Sequence, residues 1–105
     1  MNLFGLFGSK PDYEKLMAQG AVVLDVRSAG EFASGHVEGS KNISLDKIQG
    51  QVNTIKKWNK PVILCCASGN RSGMAQSFLE RQGVECYNGG SWGSVDRAIS
   101  KIEIQ

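Results

Sequence analysis

Short apolar runs alternate with segments of helical periodicity along this 105-residue chain. Residues 21–26 and 61–65 are apolar except for Asp25, rich in β-branched side chains, and too short for a buried helix. Such runs are typical of parallel strands that are covered on both faces. Residues 42–45 and 84–87 are shorter strand candidates. Strands that alternate with helices over so short a chain predict an α/β fold with one parallel sheet and helices on both faces.

The segments between these runs carry the signals of helices. We predict helices at residues 12–19, 28–34, 46–55, 71–82 and 92–102. Gly20, Gly35 and Gly83 follow three of them, as expected of glycines that end helices. Asp46 is predicted to cap the third helix, whose apolar positions recur at helical spacing.

Length and charge restrict the class of protein. One domain is expected at this size, and we divide the chain into an apolar N-terminal segment at 1–10 and a domain at 11–105. The net charge is +2 and no basic run exceeds Lys56-Lys57, so a nucleic-acid partner is not expected. No apolar run approaches the roughly 20 residues of a membrane span, and the first residues lack the features of a signal peptide.

The cysteines indicate a reducing compartment. There are three, Cys65, Cys66 and Cys86, and two of them are neighbours. An odd number with this spacing is a poor basis for a disulfide framework. We therefore predict reduced thiols in a cytoplasmic protein.

The end of the strand at 61–65 is where a site is expected, because ligands of open α/β sheets gather at the carboxyl ends of the strands. The chain there is Cys66-Ala-Ser-Gly-Asn-Arg-Ser72. Successive loop N–H groups and a helix N-terminus favour a thiolate on Cys66. Gly69 permits a tight turn, and Arg71 is the only formal charge in the loop. These residues predict an anion-binding cradle, and the alternative is an inert thiol buried at a strand end.

Three ordered motifs resemble those of the rhodanese-like sulfurtransferases. Cys66–Ser72 resembles their active-site loop, with Gly three residues and Arg five residues after the Cys. Asn88-Gly-Gly90 resembles their double-glycine turn. The segment from Leu24 to Ile43 is similar to their N-terminal signature, and its matching residues are Asp25, Arg27, Glu31, Phe32, Gly35, His36, Gly39, Asn42 and Ile43.

The resemblance implies a single rhodanese-like domain, a three-layer α/β/α fold with a central parallel five-stranded sheet. It implies a sulfurtransferase that takes a sulfane sulfur from a small anionic donor such as thiosulfate, holds it as a persulfide on Cys66, and passes it to cyanide, a thiol or a sulfur-acceptor protein. Cys66 and Arg71 are then catalytic. The substrate-binding loop comprises Ala67, Ser68, Gly69, Asn70 and Ser72. No cofactor is expected.

Four residues outside the loop were weighed for the site. Asp25, Arg27 and Glu31 are candidates for the pocket mouth, with a structural role as the alternative. His36, the single histidine, is predicted to make a local hydrogen bond rather than to act as a base. No His or Cys cluster has metal-ligand spacing, and no metal is expected.

The adjacent cysteines leave two ways of counting the loop. Side chains alternate along a strand, so Cys65 and Cys66 should face opposite sides of the sheet. If the motif begins at Cys65, five residues separate it from Arg71, as in tyrosine phosphatases. Those enzymes need Gly three residues after the cysteine, and that position is then Ser68. If the motif begins at Cys66, the corresponding position is Gly69, so we favour Cys66 as the nucleophile. A phosphatase or arsenate reductase-like enzyme of the same fold, and a non-catalytic anion- or persulfide-binding module, stay open.

Overall fold

The computed structural model describes residues 11–104, and the apolar segment predicted at 1–10 lies outside them. The described residues form a parallel sheet in the order β2-β1-β3-β4. Its strands are β1 (Val22–Asp25), β2 (Lys41–Asn42), β3 (Val62–Cys66) and β4 (Cys86–Ser91). The predicted α/β class is confirmed. The four strand regions indicated by the residues are present, whereas the resemblance implied five strands.

The helices lie along the chain in the predicted order. They are α1 (Tyr13–Ala18), α2 (Ala29–Ala33), a 3₁₀-helix (Leu45–Gln51), α3 (Val52–Trp58), α4 (Asn70–Arg81) and α5 (Trp92–Ile104). Asp12 caps α1 through a bond from the Lys15 N–H at 3.2 Å. No helix among the described residues is long and apolar enough to cross a membrane.

The prediction that Asp46 caps a helix is wrong. Ser44 precedes the 3₁₀-helix, and its hydroxyl donates to the Asp46 carboxylate at 2.6 Å. A side chain engaged in such a local bond competes with regular helix formation, and Gly50 is a weak helix former. The regular helix α3 therefore starts only at Val52.

The sheet separates two hydrophobic clusters, which gives the three-layer arrangement. One face carries Leu64 and Cys66 against the 3₁₀-helix, α3 and α4. The other carries Ile63 and Cys65 against α1 and α5. All of β3 is buried, which explains its continuous apolar run. The prediction that the two adjacent cysteines face opposite sides of the sheet is confirmed.

Gly89 sets how closely α5 packs on β4. A Cβ atom there would lie 2.5 Å from Val95 Cγ2, 3.0 Å from the Tyr13 hydroxyl and 3.2 Å from Ile63 Cγ2. We expect Gly89→Ala to lower the free energy of unfolding by about 1–3 kcal/mol, as overpacking of a core does, measured by urea denaturation. Gly50→Ala is the control, because a Cβ there has no neighbour within 4 Å. Equal losses in both variants would contradict this explanation.

Candidate active site

The loop between β3 and α4 forms a cradle, residues 66–72, at the carboxyl end of the sheet. Cys66 is the last residue of β3, and α4 begins at Asn70. Gly69 has φ +100°, in the left-handed region, and an added Cβ would lie 3.4 Å from the Gly90 Cα. Positive φ is accessible to glycine at little cost. Gly69 therefore lets the chain turn back over Cys66 while lying close to the double-glycine segment.

The Cys66 sulfur is the focus of the cradle. The Gly69 N–H donates to Sγ at 3.0 Å and the Ser72 N–H at 3.4 Å, and the Ser72 hydroxyl lies 3.4 Å away. Burial acts to raise the pKa of the Cys66 thiol, but hydrogen bonds from the Ser72, Ser68 and Gly69 N–H groups outweigh it and lower that pKa. The arrangement stabilises a thiolate, the nucleophilic form of cysteine.

Cys66 lies beneath the loop. The residue is 0% exposed, whereas Ala67, Ser68 and Asn70 are exposed. The loop therefore covers the Cys66 Sγ atom.

Cys65 has the opposite environment. It is 0% exposed and packs in the cluster between the sheet, α1 and α5. Burial and the nearby charge of Asp25 raise the pKa of its thiol to about 12. Cys65 is a small buried hydrophobe at neutral pH.

Asn88 joins the cradle to β4. Its side-chain oxygen accepts from the Ser72 hydroxyl at 2.7 Å and from the Gly90 N–H at 2.9 Å, and its nitrogen donates to the Gly69 carbonyl at 3.1 Å. The sequence analysis quoted Asn88 only as part of the double-glycine motif. The signal that pointed to it was an amide side chain at the end of a strand beside paired glycines.

Arg71 is held by Glu31, which the sequence analysis placed at the pocket mouth but did not pair with Arg71. Its two terminal nitrogens donate to the two Glu31 oxygens at 2.8 and 3.1 Å. Glu31 also forms a capping box with Ser28 at the start of α2. The hydrogen bond from Arg71, followed by those from Ser28, lowers the pKa of Glu31 to about 2. The only charge of the loop is therefore paired.

Asp25 and Arg27 form a buried ion pair. The Arg27 Nη2 donates to Asp25 Oδ2 at 2.7 Å and to the Gly35 carbonyl at 2.7 Å. The guanidinium also stands 5.1 Å from the ring centre of Trp92. The two residues are 0% and 5% exposed, so they tie β1 to the segment after α2. Their role at the pocket mouth stays a prediction.

His36 makes the local contact expected of it. Its Nδ1 lies 2.7 Å from the Phe32 carbonyl oxygen, and its ring stacks on that of Phe32 at 3.7 Å. A carbonyl accepts, so Nδ1 carries the proton. Within residues 11–104 no three His, Cys, Asp or Glu side chains are grouped to hold a metal ion.

The comparisons with known proteins give the family. The family model for the rhodanese-like domain matches residues 9–93. This chain belongs to the rhodanese-like domain family.

Its relatives include both uncharacterised and named proteins. It is 40% identical over 83 residues to the uncharacterised protein YqhL of Bacillus subtilis, which covers 74% of this chain and 65% of that protein. It is 34% identical over 76 residues to the thiosulfate sulfurtransferase GlpE of Ectopseudomonas mendocina, covering 71% of this chain and 69% of that protein. The chain thus spans about two thirds of the length of these curated relatives. Its fold is similar to the crystal structure of a rhodanese-related protein from Thermoplasma volcanium, at TM-score 0.68 and 30% identity, covering 81% of this chain and 84% of that one.

Proposed function

We propose that this protein is a sulfurtransferase that carries a sulfane sulfur as a persulfide on Cys66. The observation that carries the proposal is the set of N–H groups directed at the Cys66 sulfur, which favour its thiolate against the effect of burial. The relationship to the thiosulfate sulfurtransferase GlpE supports the same chemistry.

The reaction proceeds in two displacements. The Cys66 thiolate attacks the outer sulfur of thiosulfate, a new S–S bond forms, and the old S–S bond breaks with its electron pair leaving on sulfite. An acceptor nucleophile, such as cyanide or a thiolate, then attacks the outer sulfur of the persulfide and regenerates the Cys66 thiolate. Covalent catalysis of this kind gives ping-pong kinetics.

The cradle suits the covalent intermediate as well as the free thiolate. The Gly69 and Ser72 N–H groups converge on the end of the Cys66 side chain, and backbone N–H groups in such a concavity stabilise negative charge. A persulfide anion adds its charged atom at that end. The fixed backbone donors therefore support both charged states in the cycle.

The phosphatase alternative requires Cys65 as the nucleophile. Cys65 packs in the cluster on the other face of the sheet and has a raised pKa, which favours Cys66 as the reacting residue. The binding-module alternative predicts a persulfide that is not turned over.

The proposed sulfur transfer requires a sulfur donor and an acceptor thiol or carrier protein as partners. We propose that the protein acts in the cytoplasm, where thiols stay reduced.

The test measures sulfite release from thiosulfate, with cyanide as acceptor, beside hydrolysis of an aryl phosphate. We expect sulfite release without phosphate release, and parallel double-reciprocal lines when both substrates are varied. Intersecting lines would argue against the two-displacement scheme. Phosphate release alone would replace sulfur transfer by the phosphatase function.

Arg71→Ala is expected to weaken use of an anionic donor while the fold persists, because the side chain lies at the start of α4 and is 36% exposed. A guanidinium hydrogen bond to an anion contributes about 1.5–3 kcal/mol, so kcat/KM for thiosulfate should fall about tenfold to a hundredfold. Arg81→Ala, at the far end of α4, is the control for loss of a positive charge. Unchanged kinetics of Arg71→Ala would remove this residue from the site.

A further inference from the structure

We propose that a cleft at the amino end of the sheet is a second binding site, which takes a small, singly charged organic anion such as an aliphatic carboxylate. The cleft has a volume of about 440 Å³, within the range of small-molecule sites. It lies where α3 and α4 end and where β3 and β4 begin. Cys66 is at the opposite end of β3, about 13 Å away along the strand. The cleft is therefore separate from the candidate active site.

The floor of the cleft is apolar. Ile55 is 1% exposed and Val84 is 9% exposed, and both belong to the hydrophobic cluster on the α3 and α4 face of the sheet. Pro61, which precedes β3, also lines the cleft and is buried. Transfer of hydrocarbon from water to such a surface is favourable. These three residues provide a contact surface for the apolar part of a ligand.

The rim of the cleft is positively charged. Lys56 lies near the end of α3 and Lys60 in the turn that follows, and both are exposed. Neither forms an ion pair with any of the residues 11–104. The Lys60 Nζ lies beside Gly20, where an added Cβ would be 3.4 Å away, so its charge is at the edge of the cleft nearest to β1. Two ammonium groups are thus available to an anion.

Glu85, the acidic residue of the lining, is held away from these lysines. Its carboxylate accepts a hydrogen bond from the Tyr87 hydroxyl at 2.6 Å. Tyr87 packs against the cluster on the α1 and α5 face of the sheet, and residues two apart along a strand share a face. The Glu85 carboxylate therefore lies on that face, whereas the cleft floor belongs to the other. The cleft keeps its net positive charge.

The charge of the cleft suits one negative charge better than two. The last turns of α3 and α4 end beside it, and a helix C-terminus carries about half a negative elementary charge. These partial charges offset part of the charge of the two lysines. Asn59 and Gln82 add side-chain amides at the rim, which can donate to a carboxylate. A carboxylate on a short hydrocarbon chain matches the charge, the donors and the floor together.

The test is an NMR titration of the ¹⁵N-labelled full chain with hexanoate. We expect the amide shifts of residues 55–60 and 82–85 to change, while those of the cradle at 66–72 stay constant. Acetate lacks most of the hydrocarbon chain and should bind at least about tenfold more weakly. Hexanamide lacks the charge and should bind at least about threefold more weakly. Added salt should weaken the binding of hexanoate but not that of hexanamide.

Variants of the lysines test the source of the charge. Lys56→Gln and Lys60→Gln should each weaken hexanoate binding by about twofold to fivefold, and the double variant by about tenfold, with hexanamide binding unchanged. Lys57→Gln is the matched control, because it removes the same charge from α3 at a position outside the cleft lining. It should change the affinity by less than about twofold. Thermal melts check that each variant is folded.

Two results would overturn the site. Equal affinity for hexanoate and hexanamide, or an equal loss of affinity in Lys57→Gln and Lys56→Gln, would show that the cleft does not select an anion. Amide shifts at 55–60 and 82–85 that stay constant up to the solubility limit of hexanoate would show that the cleft does not bind this class of ligand. Because the cleft is separate from Cys66, either result leaves the proposed sulfur transfer unaffected.

Discussion

Cys66→Ser is expected to abolish persulfide formation, whereas Cys65→Ser should retain it. A serine hydroxyl is not ionised near neutral pH, so the cradle of Cys66→Ser holds no nucleophile able to take up a sulfane sulfur. Cys65 contacts only the opposite cluster, and its replacement places a hydroxyl in an apolar setting at a modest cost in stability. Intact mass after treatment with thiosulfate measures the gain of one sulfur atom in each variant.

The same pair of residues should differ in alkylation. Because its pKa is lowered, Cys66 keeps its thiolate as the pH falls through the range where an ordinary thiol becomes protonated. Its alkylation rate should therefore reach a plateau at a lower pH than that of a free thiol. Cys65, with a pKa of about 12, should react only on unfolding. A sulfur adduct that persists in Cys66→Ser and disappears in Cys65→Ser would transfer the nucleophile to Cys65 and restore the phosphatase alternative.

The opposite orientation of these two cysteines could be predicted because strand alternation is a local property. β3 is apolar throughout and buried on both faces, so its position was clear from the sequence. The Gly69 turn was predictable for the same reason, since a backbone with φ +100° strongly favours glycine. Strand alternation and the Gly69 turn depend on neighbouring residues in the chain, so both could be predicted from the sequence.

The extent of β4 was less predictable. The sequence indicated a strand at 84–87, whereas β4 spans Cys86–Ser91. Gly89 and Gly90 are poor strand formers by propensity, so the prediction ended before them. The absence of a Cβ at Gly89 is what allows Val95 and Tyr13 to pack there, and this tertiary contact outweighs the local preference.

The contact of Arg71 with Glu31 could not be predicted from the sequence, for a different reason. Glu31 lies 40 residues away in the chain, and the contact depends on β1 and β3 being neighbours in the sheet. The sequence predicted a loop whose positive charge faced an anion. In the structure Glu31 neutralises that charge, and the expected nucleophile is unchanged.

Asn88→Asp is expected to slow persulfide formation at neutral pH by about tenfold to a hundredfold, since a buried polar group left without its partner costs about 1–3 kcal/mol. Asp still accepts from the Ser72 hydroxyl and the Gly90 N–H, as Asn88 does. It cannot donate to the Gly69 carbonyl, which Asn88 Nδ2 reaches at 3.1 Å, so two acceptor oxygens would face each other. The cradle should then lose the geometry that directs the Gly69 N–H at Cys66.

The added carboxylate also acts on the thiolate through its charge. A negative group near Cys66 disfavours a second one, so the pKa of Cys66 should rise in Asn88→Asp and the pH profile of alkylation should move to higher pH. Asn88→Ala removes the same hydrogen bonds without adding charge, and its profile should move less. Asn53→Asp, on exposed α3 surface, controls for the charge alone. Because a merely structural role would reduce the rate without displacing the profile, an Asn88→Asp protein that is slow but titrates like the wild type would show that Asn88 supports the fold and not the thiolate.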